Sequence, residues 1–218
     1  MYPNASATGI CAQRFAEILA NDYNIDIVCI ASDMNAVTVE YSSEIKIHAL
    51  SGGTMKWEAH CRGILKKLSH FFGQIQIKTR LLGNMQWFSD AALNKLKEID
   101  QENKVDTIFS VCSPLSAHCA ALKYKEIKPE VHWVAYTVDL YSIPERLRPF
   151  GYTLKELSEK ELSILQRADA VFLSEEIYNN HSDIVTDLKN VERLPYVIPY
   201  QKVIEDDLEL LKRKDINC

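Results

Sequence analysis

Apolar and polar positions follow two rhythms along this chain, and the switches between them mark its elements. Residues 10–20 carry Cys11, Phe15, Ile18 and Leu19 at helical spacing, a single stripe on a 3.6-residue period. "NIDIVCIAS" (24–32) is rich in Ile and Val and predicts a strand. "VTVEYSSEIKIHAL" (37–50) predicts a pair of strands with a turn near Ser42 and Ser43. Beyond "SGGT" (51–54), Trp57, Cys61, Ile64, Leu65, Leu68, Phe71, Phe72 and Ile75 step along a long helical stretch. A second helix covers 86–102, with Phe88, Ala92, Leu96 and Ile99 on one face.

From there the order is regular. "VDTIFSVCS" (105–113) is a near-continuous apolar strand, and "PLSAHCAALKYK" (114–125) is a helix with proline at its first turn. "VHWVAYTVD" (131–139) is a strand, 153–167 a helix, "ADAVFLS" (168–174) a strand, "EEIYNNH" (175–181) a short helix and "VERLPYVIPY" (191–200) a last strand broken by prolines. Strands that are apolar throughout and alternate with helices predict an α/β fold with a doubly wound parallel sheet covered on both faces.

In such a sheet a glycine-bearing turn follows the first strand. Residues 2–9 read as that loop, with Asn4, Ser6 and Thr8 in cap positions and Gly9 at the helix start. A strand of roughly five to six residues is then expected ahead of Tyr2. At the other end, 202–214 is charged and reads as a linker. Residues 1–200 are therefore expected to be one domain of a longer protein, and 201–218 a linker.

At 218 residues, 47% of them hydrophobic, the chain can bury a sizeable core. Its net charge of −5 leaves no global electrostatic footprint for nucleic acid. The apolar runs are too short and interrupted to predict a membrane-spanning helix, and the first residues lack a signal-peptide pattern. Six cysteines form no C-x-x-C pair and suit reduced, buried thiols of a cytoplasmic protein. The histidines form no helical ligand pair, so no metal site is expected.

Ligands of open α/β sheets bind outside the carboxyl ends of the strands. The candidates are thus Thr8 and Gly9 at the first turn, Ser113 and Pro114, Asp139, and Ser174 with Glu175. Several have structural duties as well. Ser6 or Thr8 suits a helix cap, Pro114 a helix start, and Ser174 the N-cap of 175–181, with Glu175 and Glu176 complementing the dipole. Asp139 is the preferred functional residue, because a carboxylate ending a buried strand is costly unless it is paired or faces a cleft. No G-x-G-x-x-G, Walker or G-x-S-x-G pattern occurs.

Four segments in order resemble one family. "YPNASATGICAQRFAEILA" looks like its opening loop and helix, and "VDTIFSVCSPLSAHCAALKYK" its middle strand, polar turn and helix. "HWVAYTVDLYSIPERL" is similar to its D-L-[WY] segment, and "ELSILQRADAVFLSEEIYNNH" to its Ala-Asp pair, strand, serine and short helix. Over residues 2–200 the layout resembles the N-terminal domain of GT-B glycosyltransferases of the retaining, family-4-like group.

The resemblance implies a Rossmann-like half of a two-domain enzyme, with 201–218 leading to a C-terminal donor-binding domain. It implies transfer of a hexose from a nucleotide sugar, itself the substrate and not a cofactor, to a sugar or lipid-linked hydroxyl in polysaccharide or glycolipid synthesis. Gly9 and its neighbours would meet the donor, Ser113 and Asp139 would line the acceptor side, and Asp139 would orient the attacking hydroxyl. No metal is implied, since helix dipoles and basic side chains can neutralise the leaving diphosphate. The sequence departs from the family in having one glycine in the opening loop. No histidine clearly follows the middle strand, His118 lying a turn into the helix, and no two glutamates stand eight apart. The chain alone is therefore expected to be inactive. The alternatives are a flavodoxin-like flavin-binding domain, suggested by "SATGI" (6–10), and a non-catalytic α/β interaction domain.

Residues 56–80 hold Lys56, Arg62, Lys66, Lys67, Lys78 and Arg80 against Glu58, a local charge of +5. The favoured expectation is a solvated helix whose apolar stripe packs on the sheet. The other is peripheral docking on an anionic membrane, at its inner face.

Overall fold

The structure, a computed structural model, describes residues 7–31, 36–52, 62–79, 81–82, 85–112, 115–142 and 153–194. Its first half runs α1 (Ala7–Leu19), β1 (Ile25–Ile30), β2 (Val37–Glu40), β3 (Ile45–Leu50), α2 (Ile64–Thr79) and α3 (Gln86–Glu102). The second half runs β4 (Thr107–Cys112), α4 (Ser116–Ile127), β5 (His132–Thr137), α5 (Leu154–Leu165), β6 (Ala170–Ser174), α6 (Glu175–Asn180), α7 (Ser182–Asp187) and β7 (Val191–Leu194). The architecture is α/β and Rossmann-like: β4 to β7 form a wholly parallel sheet in sequential order, with helices packed on it. The proposed linker, 201–218, lies outside the described residues.

Most strands follow their apolar runs. Residues 37–50 form the expected hairpin, β2 antiparallel to β3, its turn held by Ile45 N–H donating to Ser42 Oγ at 3.1 Å. The described strands fall into two sheets, β1-β3-β2 and β4-β5-β6-β7. Helix α1 touches both, packing on β1 and on β4. Phe15 of α1 sets its ring 5.7 Å from Phe109 of β4 and 5.5 Å from Tyr136 of β5. Side chains alternate across a strand, so Ile108, Ser110 and Cys112 point to the opposite face. All three are buried there. Helix α4 covers that face, and α3 packs on α4, β1 and β3.

The parallel sheet is clamped at the amino ends of its strands. The Asp169 carboxylate, just before β6, accepts from the Trp133 N–H at 2.7 Å and from Lys125 Nζ of α4 at 2.5 Å. Partial burial pushes its pKa up, but these two bonds outweigh it and hold it below the usual carboxylate value. The Ala-Asp pair thus joins α4, β5 and β6 at one point.

Two expectations are corrected. The first helix starts at Ala7, so Thr8 and Gly9 lie inside its first turn and are not part of a preceding loop. Alanine has the highest helix propensity, and a glycine in the first turn costs little enough to be carried. Asn4 and Ser6 lie outside the described residues. The apolar stripe of α2 does not pack on the sheet. Ile64, Leu65, Leu68, Phe71, Phe72 and Ile75 are 41–77% exposed, whereas Ser69 and Gly73 are buried. The helix turns small residues inward and large apolar ones outward.

Candidate functional site

The register of the parallel sheet brings several candidates to one edge. Thr137, the last residue of β5, pairs with Cys112 of β4 and with Leu173 of β6. Asp139 and Glu175 each come two residues after that last pair, just beyond the carboxyl ends of the two strands. Ser113 and Pro114, which would follow β4 at the same edge, lie outside the described residues. Helix α1 packs on β1 and reaches it through a tight turn, so its first turn, with Thr8 and Gly9, lies toward the carboxyl end of β1. Gly9 is half-buried, and only the backbone of Thr8 is described.

Asp139 is exposed. The argument that its carboxylate needs a partner or a cleft therefore does not hold, because water solvates it at no such cost. Its backbone carbonyl faces the Cys112 thiol at 3.9 Å. Ser174 is fully buried and caps α6, its Oγ accepting from the Ile177 N–H at 3.4 Å. Glu175 and Glu176 occupy the first turn as expected, and Glu175 pairs with Arg193 of β7 at 3.1 Å. The pair ties the end of β7 to the start of α6.

Four groups at this edge escaped sequence reasoning. Glu161 of α5 is 2% exposed, and its carboxylate accepts from the N–H groups of Tyr141 at 2.8 Å and Ser142 at 3.0 Å. Burial raises its pKa, opposed by those two bonds. It pins the loop that follows Asp139. The Tyr141 hydroxyl donates to the Leu81 carbonyl, and burial pushes its pKa up to about 12. Ser116, in the first turn of α4, is buried with no hydrogen-bond partner for its hydroxyl among the described residues.

The fourth group is His118, which lies fully buried on α4. Its Nδ1 is 2.8 Å from Ser110 Oγ, and its Nε2 is 3.2 Å from Thr137 Oγ1. The Trp133 indole N–H donates to Ser110 Oγ at 2.8 Å. Burial lowers the His118 pKa to about 3, so the ring is neutral and carries one proton. A neutral imidazole donates through one nitrogen and accepts through the other. Indole can only donate, which leaves the Ser110 hydroxyl free to donate to Nδ1. In that tautomer His118 donates through Nε2 to Thr137; in the other, Nδ1 donates to Ser110 and Nε2 accepts from Thr137, and in both the chain runs from the amino end of β5 to its carboxyl end.

Burial also raises the thiols of Cys29 and Cys112, and Cys119 to about 11, so all three are neutral near pH 7. They are free thiols, as expected, packing as small hydrophobes. Among the described residues no three His, Cys, Asp or Glu side chains gather as a metal site, and no helix is long and apolar enough to cross a membrane. The edge offers an exposed carboxylate, a salt-bridged glutamate and a buried neutral hydrogen-bond chain beneath them, a set suited to orienting a polar ligand. No protein-family model, curated protein or solved structure matches this chain.

Proposed function

We propose that this chain is the acceptor-side domain of a retaining GT-B glycosyltransferase. The enzyme would move a hexose from a nucleotide sugar to a hydroxyl of a sugar or lipid-linked acceptor in polysaccharide or glycolipid synthesis. The observation that carries the reading is the carboxyl edge of β5 and β6, whose paired ends are Thr137 and Leu173; Asp139 and Glu175 follow those ends, where parallel α/β sheets bind ligands. In this reading Asp139 orients the attacking hydroxyl. Backbone N–H groups around Thr8 and Gly9 meet the donor, at a helix start that favours negative charge. Ser113, Pro114, Ser174 and Glu175 shape the acceptor side, Ser174 by fixing α6.

The outward stripe of α2 supports a place at the inner face of a membrane. Its exposed apolar residues run beside exposed Arg62, Lys66 and Lys67, the pairing that seats a helix on an anionic surface. Vesicles rich in phosphatidylglycerol are expected to retain the chain at low salt and release it as salt rises. Retention that ignores salt, or no retention at all, would count against this docking.

The enzymatic reading is tested on the full-length gene product, assayed for transfer from a panel of nucleotide sugars. Asp139→Asn is expected to lower kcat by about 100-fold or more while leaving the melting temperature unchanged. Transfer at the wild-type rate by the variant, or no transfer from any donor, overturns it. A yellow, flavin-absorbing preparation would instead support the flavodoxin-like alternative.

A further inference from the structure

The smaller sheet ends on an open edge. Strand β2 is its outermost strand, and all four of its residues are exposed. Among the described residues no strand pairs with its far side. Just past the strand, Tyr41 lies opposite Ile45 and its N–H donates to the Ile45 carbonyl at 2.9 Å. Hydrogen-bonded and non-hydrogen-bonded pairs alternate along an antiparallel ladder. Val37, Val39 and Tyr41 therefore direct their backbone groups to β3, and the N–H and C=O of Thr38 and Glu40 point away from it. An edge of this kind is a template for one more strand.

Side chains sort with the same alternation. Val37, Val39 and Tyr41 share the face toward α1, where the Tyr41 hydroxyl donates to Glu17 Oε1 at 3.1 Å and accepts from Gln13 Nε2 at 3.3 Å. These three residues are 41–42% exposed, an apolar row at the margin of the sheet. Thr38 and Glu40 share the other face. Thr38 Oγ1 lies 3.3 Å from His48 Nδ1, and Glu40 stands opposite Lys46 of β3. Glu40 is the one charged residue of the strand.

We propose that β2 is the surface through which a second copy of this chain binds, strand to antiparallel strand about a twofold axis normal to the sheet. The strand's own pattern selects both occupant and register. Thr38 and Glu40 carry the outward groups, so every hydrogen-bonded pair of the new ladder takes one of these two residues from each copy. Thr38 opposite itself matches only residues 37–39 within 37–41. Glu40 opposite itself sets like charges face to face. Thr38 opposite Glu40 of the second copy matches all five residues. Val39 then meets Val39, and Val37 meets Tyr41 on either side, so every cross-strand contact on that face is apolar. On the other face each Glu40 sits between Lys46 of its own copy and Thr38 of the other, and no acid meets an acid. The two three-stranded sheets merge into one of six, in the order β1-β3-β2-β2-β3-β1. The edge is thereby closed, as an isologous interface requires. The inference rests on this edge alone and stands whether or not the protein handles sugars.

The test is analytical sedimentation of the 218-residue chain and its variants, from low micromolar to sub-millimolar concentration. The wild type is expected to pass from monomer to dimer and no further. Thr38→Pro removes an outward N–H and leaves the ladder to β3 its bonds, and is expected to stay monomeric. Thr38→Val loses the hydroxyl but keeps the N–H, and is expected to dimerise. Val39→Lys changes an exposed side chain and sets two lysines opposite each other, which is expected to weaken the dimer by about 10-fold or more. Register is read by cross-linking. Val39→Cys meets its own copy at a non-hydrogen-bonded pair, a spacing that suits a disulfide, and is expected to link under mild oxidation where the wild type and Val37→Cys do not. A wild type that stays monomeric, or that grows past a dimer, overturns the inference. So does a dimer that survives Thr38→Pro or Val39→Lys unweakened, one that Thr38→Val abolishes, or linking of Val37→Cys in place of Val39→Cys.

Discussion

The hydrogen-bond chain through His118 makes a quantitative prediction. Its imidazole titrates at about 3 in the folded chain against 6.5 for an ordinary histidine. Between those values the unfolded chain binds a proton that the folded chain refuses, so stability falls as pH drops. The contribution is whole above about pH 6.5 and is lost progressively toward pH 3. One pKa unit is worth about 1.4 kcal/mol, so acidifying from about pH 6 to about pH 4 removes about 2–3 kcal/mol through this residue. His118→Gln retains one donor and one acceptor and does not titrate. Urea unfolding of both proteins at several pH values across that range, followed by tryptophan fluorescence, gives two stability curves. Groups other than His118 titrate in both proteins and largely cancel in the difference. The wild type is expected to lose about 2–3 kcal/mol more than the variant over the range. A difference flat to within about 0.5 kcal/mol refutes the reasoning, since it places the imidazole in water with an ordinary pKa. A His118 ring proton resonance that moves near pH 6.5 in the folded protein would say the same.

Glu161→Ala leaves the N–H groups of Tyr141 and Ser142 without their acceptor and is expected to cost about 3–4 kcal/mol in urea unfolding; a cost under about 1 kcal/mol would mean that water replaces the carboxylate. Gly52→Ala would set a Cβ 2.8 Å from Cε3 of Trp87. The expected loss is about 1–3 kcal/mol with a shift in tryptophan emission, and an unchanged spectrum and midpoint would show that the ring yields freely. Ser174→Ala and Thr153→Ala each remove a helix cap, the latter a full capping box with Glu156. Each is expected to lower the unfolding free energy by about 1 kcal/mol, and additivity of the two in the double variant checks that the caps act separately.

What could be read from the sequence was what short stretches decide for themselves. The near-continuous apolar runs of β4, β5 and β6 mark strands buried on both faces, and the hairpin of β2 and β3 follows from alternation and its serine turn. Ser174 was legible as a cap because capping is a three-residue matter, and α3 because its buried face is written in its spacing.

What stayed hidden depends on partners distant in sequence. Glu161 sits among Lys155, Glu156, Glu159 and Lys160, a composition that reads as a solvated face, and only the fold of the 139–142 loop against α5 buries it. His118 lies one turn into a helix, and its partners Ser110 and Thr137 come from two different strands, so no local pattern announces the chain they form. The α2 stripe misled for a related reason. Its periodicity correctly announces one apolar face, but periodicity does not say what that face meets. Here Ser69 and Gly73 pack inward, and the face that carries the large side chains is left to solvent. The docking on an anionic surface proposed above would cover that face, with the exposed Arg62, Lys66 and Lys67 beside the stripe supplying the complementary charge.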